Sequence, residues 1–137
     1  MHMKTTLPLI ALLFTAVGMT LVTANADSPN QKAAPDNVVT KLKAQAKDMT
    51  TAVAARDVHP LHMIDHAMPD EITAVQKEAS NVAADKKQKL DALCTDLAKQ
   101  ASRAHHDGHH SDWNDAKEAQ KQFAADAQQI ATILGAP

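Results

Sequence analysis

The chain has 137 residues, a formal charge of −2 with neutral histidines, and one cysteine. That balance argues against the basic surface that nucleic acid needs, and a lone cysteine excludes both an intramolecular disulfide and a Cys-x-x-Cys-His haem attachment. Tyrosine is absent and glycine is rare, with 3 residues, while alanine is abundant, so the composition favours helices packed through small residues over sheet.

The chain opens on a short positive start, Met1-His2-Met3-Lys4, followed by an apolar run from Leu7 to Val22 and a small-x-small site at Ala24-Asn25-Ala26. Together these predict a secretory signal peptide over residues 1–26, cleaved after Ala26. The alternative is an uncleaved anchor, because the run approaches the roughly 20 residues that span a bilayer. No cysteine follows the run, which argues against a lipoprotein anchor. Cleavage would leave one domain by length, periplasmic or secreted and not membrane-spanning. In such an oxidising compartment Cys94 should be buried or paired with another chain.

Asp27 to Pro35 is polar with two prolines and reads as a flexible leader. The bundle domain is expected over 36–135, as four apolar periodicities. Helix A is predicted over Asp36 to Arg56, with Val39, Leu42, Ala46, Met49 and Val53 on one face. Helix B is predicted over Pro60 to Ala83, with Leu61, Ile64, Met68, Ile72, Val75, Ala79 and Val82 as its stripe. Pro69 lacks an amide hydrogen and its ring meets the carbonyl of Asp65, so a kink is expected there, or a stop at Ala67 and a fresh start at Asp70-Glu71, where carboxylates suit a helix N-terminus.

Helix C is predicted over Asp85 to His105, with Leu90, Leu93, Leu97, Ala101 and Ala104 inward. Asp107-Gly108 reads as a turn, with Gly108 free to take the left-handed conformation that ends a helix. Ser111 or Asp112 would cap helix D, whose inner face is Trp113, Ala116, Phe123, Ala127, Ile130 and Leu134. Ala83-Ala84-Asp85-Lys86 holds no glycine or proline, so one unbroken helix from Pro69 to His106 is the alternative. A break is preferred because four helices of about 21–24 residues, roughly 30–36 Å each, can cover one another's stripes. The expected fold is all-α: an antiparallel up-down-up-down four-helix bundle.

That topology decides what the histidines can do. His2 aside, they form two tight clusters: His59, His62 and His66, then His105, His106, His109 and His110. Up-down-up-down connectivity places the A–B and C–D connections at one end of the bundle, so clusters some forty residues apart in sequence would meet. An unbroken B–C helix would separate them by the length of the molecule.

Imidazole is the commonest protein metal ligand. His62 and His66 are four apart, on one helix face, where two rings can share an ion; His59 lies one turn before. Asp65 is placed to accept a hydrogen bond from the non-ligating nitrogen of a histidine. Met63 lies close to the histidine face and offers soft sulfur, whereas Met68 falls on the core stripe and reads as packing. The second cluster is a His-rich tract around a turn, with Asp107 and Asp112 as oxygen donors. Copper is favoured by intrinsic affinity and by nearby methionine, and zinc or nickel suit the same ligands. The plain alternative is a polar helix–helix loop whose histidines are merely solvated.

No nucleophile motif, phosphate-cradling loop or His-Glu-x-x-His signature occurs, so no enzyme is expected. Cys94, beside Leu93 and Leu97, reads as a small buried residue, and Trp113 as a plug at the bundle end near the second cluster. The apolar pattern and length resemble those of small exported four-helix bundles, soluble b-type cytochromes among them. Such bundles hold haem between an inward methionine and an inward histidine. Here the histidines lie at one end and off the core stripes, so no haem is expected.

Three functions follow as expectations. The first is a periplasmic metal-binding protein for capture, buffering, delivery or sensing, with a periplasmic partner for delivery. The second is an acid-responsive or chaperone-like bundle, in which histidines charged near pH 6 repel one another and open one end. The third is a structural interaction bundle with incidental histidines.

Overall fold

A computed structural model describes residues 37–136; the expected signal peptide and leader lie outside them. Among the described residues the fold is all-helical, with α1 Val38–Ala55, α2 Val58–Glu78, a short 3-10 turn Ala79–Asn81, α3 Ala84–His109 and α4 Trp113–Ile133. Helix α1 packs on α2 and α4, and α3 packs on the same two helices. Each helix thus has two neighbours, and the apolar stripes close on a common core. No helix among the described residues is long and apolar enough to cross a membrane.

The predicted stripes are the observed core. Leu42 and Met49 of α1, Leu61, Met68 and Val75 of α2, Leu90, Leu97 and Cys94 of α3, and Phe123 and Ile130 of α4 are fully or almost fully buried. Fully burying a side chain of this size contributes about 1.5–3 kcal/mol. Ala101 and Ala104 of α3 and Ala116, Ala119, Ala127 and Ala131 of α4 are buried as well, the small-residue packing that the composition implied.

Two corrections concern helix interiors. Pro69 does not stop α2, which runs helical from Val58 to Glu78 with the proline inside it. A proline there costs about 3 kcal/mol. Leu61, Ile64 and Met68 before it and Val75 after it bury on one continuous face, and that burial outweighs the cost. Pro69 itself is on the exposed side. The alternative of a stop and a restart at Asp70-Glu71 is therefore absent, and Glu71 is instead buried, its carboxylate 3.9 Å from Lys41 Nζ of α1.

The second correction is Gly108, which does not end α3 but lies inside its last turn. It is buried because Leu61 and Trp113 occupy the space in front of it: a Cβ would meet Leu61 Cδ1 at 3.1 Å and the Trp113 ring at 3.5 Å. The left-handed residue is Ser111, at φ 63°. Its amide donates to Gly108 O at 3.1 Å, and the next amide, Asp112, donates back to Asp107 O at 2.8 Å. That bond pair is the Schellman closure of a helix end.

The same closure ends α1. Arg56 takes φ 56°, its amide donates to Val53 O at 3.3 Å and that of Asp57 to Ala52 O at 2.9 Å. The Asp57 carboxylate then accepts from His59 N at 3.0 Å and starts α2, two residues earlier than the sequence pattern implies. Pro60 is tolerated there because first-turn amides have no intrahelical partner. Asp112 begins α4, but its side chain makes no capping bond.

Between α2 and α3 the chain does break. The 3-10 turn gives way to extended Val82, at φ −82° and ψ 142°, and Val82 packs against the core. The turn needs neither glycine nor proline because none of its residues takes a positive φ.

Candidate metal centre

The break at Val82 brings the two histidine clusters together. His62 and His66 stand one turn apart on α2, their ring centres 4.3 Å apart. His105 and His109 stand one turn apart on α3, at 4.8 Å. The pairs face each other through His62 and His105, whose ring centres are 4.8 Å apart in edge-on contact. The result is a row of four imidazoles, His66–His62–His105–His109, across the seam of α2 and α3.

The row has a direction, set by Asp65. Its Oδ2 lies 2.9 Å from His105 Nδ1. A carboxylate only accepts, so His105 Nδ1 carries the proton and, in the neutral ring, Nε2 presents a lone pair. That Nε2 lies 3.2 Å from His62 Nδ1, which donates to it. His62 Nε2 is then the bare nitrogen at the other end of the relay. Asp65 thus accepts a hydrogen bond from a histidine, His105.

Electrostatics favour the neutral ring of His62. The pKa of His62 lies below the ordinary 6.5, first through desolvation and then through His66, His105, His59 and His109, whose charges would oppose its own. A neutral imidazole is the form that ligates metal.

With the His62 proton moved from Nδ1 to Nε2, the distance between the facing nitrogens fits a shared ion. Two imidazole ligands at about 2.0–2.1 Å on tetrahedral zinc have their nitrogens about 3.3 Å apart, against 3.2 Å here. Among the described residues no three His, Cys, Asp or Glu side chains have donor atoms converged as placed. The seam therefore offers a facing nitrogen pair with two more imidazoles beside it, and ring rotation would be needed to complete a set.

The remaining predicted residues lie elsewhere. His59 borders the seam in a hollow with Val58, His62 and His109. It also lines, with Met63, a cleft of about 470 Å³ bounded by Asp48, Thr51, Ala52 and Ala55 of α1. Met63 is 57% exposed and belongs to that α1-facing cleft. His106 and His110 pair with each other on the outside of α3, ring centres 4.5 Å apart. Asp107 lies beside them, Oδ1 3.4 Å from His106 Nδ1 and Oδ2 3.4 Å from Arg103 Nε. The apolar series Leu97, Ala101, Ala104, Gly108 carries the signal for this: its helical step continues past the presumed turn.

Met68 and Cys94 are buried. Burial, and secondarily the Asp91 carboxylate, push the Cys94 thiol up to about 11, so it holds its proton at neutral pH. Trp113 packs over Gly108 at the bundle end.

Compared with known proteins, the chain matches no family model, and no curated protein or solved structure shows significant similarity to it.

Proposed function

We propose that this chain is an exported, periplasmic four-helix bundle of up-down-up-down topology that binds a transition metal ion at a histidine-rich end. Its task in this reading is capture, buffering, delivery or sensing, with a periplasmic protein as partner where delivery is concerned. Copper is preferred, because imidazole-rich sites bind divalent first-row metals with affinity rising to Cu²⁺, and zinc and nickel follow.

The observation that carries the reading is the Asp65–His105–His62 relay. A carboxylate that holds one nitrogen of a histidine and leaves the other bare is the usual support of a metal-ligating imidazole. The imidazoles of His62, His66 and His109 beside it are further nitrogen donors.

Calorimetric titration of the protein with Cu²⁺, Zn²⁺ and Ni²⁺ tests the reading. A bound ion whose affinity drops at least tenfold in a His62→Ala/His105→Ala variant is expected. Absence of binding by all three ions would remove it and leave the acid-responsive bundle as the better account of the crowded imidazoles.

A further inference from the structure

We infer that the chain holds a second metal site, built by His106 and His110 on the outer face of α3, and so takes up two inequivalent ions. The inference rests on the metal-binding reading above and changes it in one respect: six of the seven clustered histidines divide between two sites.

Helix geometry separates them. Residues advance by about 100° each along a helix, so His105 and His109 share one face while His106 and His110 share the next. Their surroundings differ accordingly. The His105 side chain is 17% exposed and bonded to α2 through Asp65 and His62, whereas that of His106 is 70% exposed. Had α3 ended at Gly108, the four residues could have gathered around one ion on a loop. Because Gly108 stays helical and buried, the pairs are fixed on different faces.

The outer pair repeats the arrangement of the seam. Two histidines four apart on a helix present rings on successive turns, the spacing by which helical zinc sites take two ligands from one element. His106 has a carboxylate, Asp107 Oδ1, beside its Nδ1, which leaves Nε2 free, and the Arg103 guanidinium lies 3.4 Å from the other oxygen of that carboxylate. A divalent ion bound there would have two protein nitrogens, with water completing the shell, which suits the tetragonal preference of Cu²⁺ and Ni²⁺. Fewer protein ligands, more exposed rings and a carboxylate contact of 3.4 Å against 2.9 Å make it the weaker site.

The test is calorimetric titration of the full chain with Cu²⁺ in a non-coordinating buffer. Two binding events are expected, separated by at least about tenfold in Kd. His106→Ala/His110→Ala should abolish the weaker event and leave the tighter one, and His62→Ala/His105→Ala should do the reverse, with helical circular dichroism confirming that each variant folds. One event that survives His106→Ala/His110→Ala would overturn the second site and leave the seam intact. One event abolished by either variant would show a single joint site and overturn the division. No binding at all would overturn both this inference and the reading beneath it.

Discussion

His62 Nδ1 lies 3.2 Å from His105 Nε2, joining α2 to α3 across 43 residues of sequence. The bond has a sense as well as a length. Asp65 fixes the proton on the far nitrogen of His105, at 2.9 Å, and so sets which nitrogen of each ring is bare. Two helices, one turn of each and one carboxylate are enough to define the seam.

Removing that carboxylate should act on metal affinity more than on the fold. Asp65→Ala is expected to weaken Cu²⁺ binding about 10–100-fold, the usual effect of losing a hydrogen-bond partner behind a ligating histidine. Asp65→Asn should lose less, because its amide oxygen still accepts from His105 Nδ1. Calorimetry on the two variants checks the order. Equal losses would mean that charge at Asp65, and not its hold on the ring, is what matters.

Acid should weaken the fold in a defined window. His62 titrates below 6.5 in the folded chain, first through desolvation and then through its four neighbouring histidines. The unfolded chain therefore takes up this proton at higher pH than the folded one. The stability His62 contributes is complete above about pH 6.5 and is lost as pH falls from there through its folded value. Urea unfolding of the metal-free protein between pH 5 and 8 should show a midpoint that drops on acidification, with a shallower drop in His62→Gln. Identical pH profiles for the two proteins would remove His62 from the effect.

The stripes that form the core were legible because burial follows a 3.6-residue period: Leu90, Leu93, Leu97, Ala101 and Ala104 need no other information. The meeting of the histidine clusters was legible too, given a reversal between α2 and α3. What misled was punctuation. Gly108 and Pro69 are breakers by local propensity, yet tertiary burial overrides both: Leu61 and Trp113 pack over the glycine, and a continuous apolar face spans the proline. Conversely, the left-handed residues that close α1 and α3, Arg56 and Ser111, carry no local signal. The division of His105 and His109 from His106 and His110 followed from that single misplaced helix end.

A buried acid marks where the core is under-satisfied. Asp126 of α4 is 2% exposed, and Gln122 Nε2 donates to its Oδ1 at 3.0 Å. Its Oδ2 is buried with no hydrogen-bond partner. Desolvation raises its pKa, opposed by the Gln122 bond and reinforced by Asp96. A carboxyl raised in this way loses stability as pH climbs from its unfolded value through its folded one. Asp126→Asn keeps an acceptor for Gln122 and removes the charge, so it should stabilise the protein by roughly 1 kcal/mol at pH 7. Chemical denaturation at pH 7 measures this, and a destabilised variant would show that the carboxylate has a partner worth more than its burial costs.

The end of α3 offers a paired test of where the helix stops. Ser111, exposed, is held at φ 63°, a conformation that costs a non-glycine residue roughly 1–2 kcal/mol. Ser111→Gly relieves that cost, and after the entropy glycine loses on folding it should gain about 0.5–1 kcal/mol. Gly108 is the opposite case. A Cβ there sits 3.1 Å from Leu61 Cδ1 and 3.5 Å from Trp113, and Leu61 is fully buried. Gly108→Val should therefore cost about 1–3 kcal/mol through overpacking. Gly108→Ala should stay near neutral, since a helix-propensity gain of about 1 kcal/mol offsets milder crowding. Thermal melts of the three variants check the pattern. If Gly108→Ala were strongly destabilising while Ser111→Gly had no effect, the left-handed residue would be Gly108 after all, α3 would end before His109, and the four histidines of the second cluster would belong to one loop.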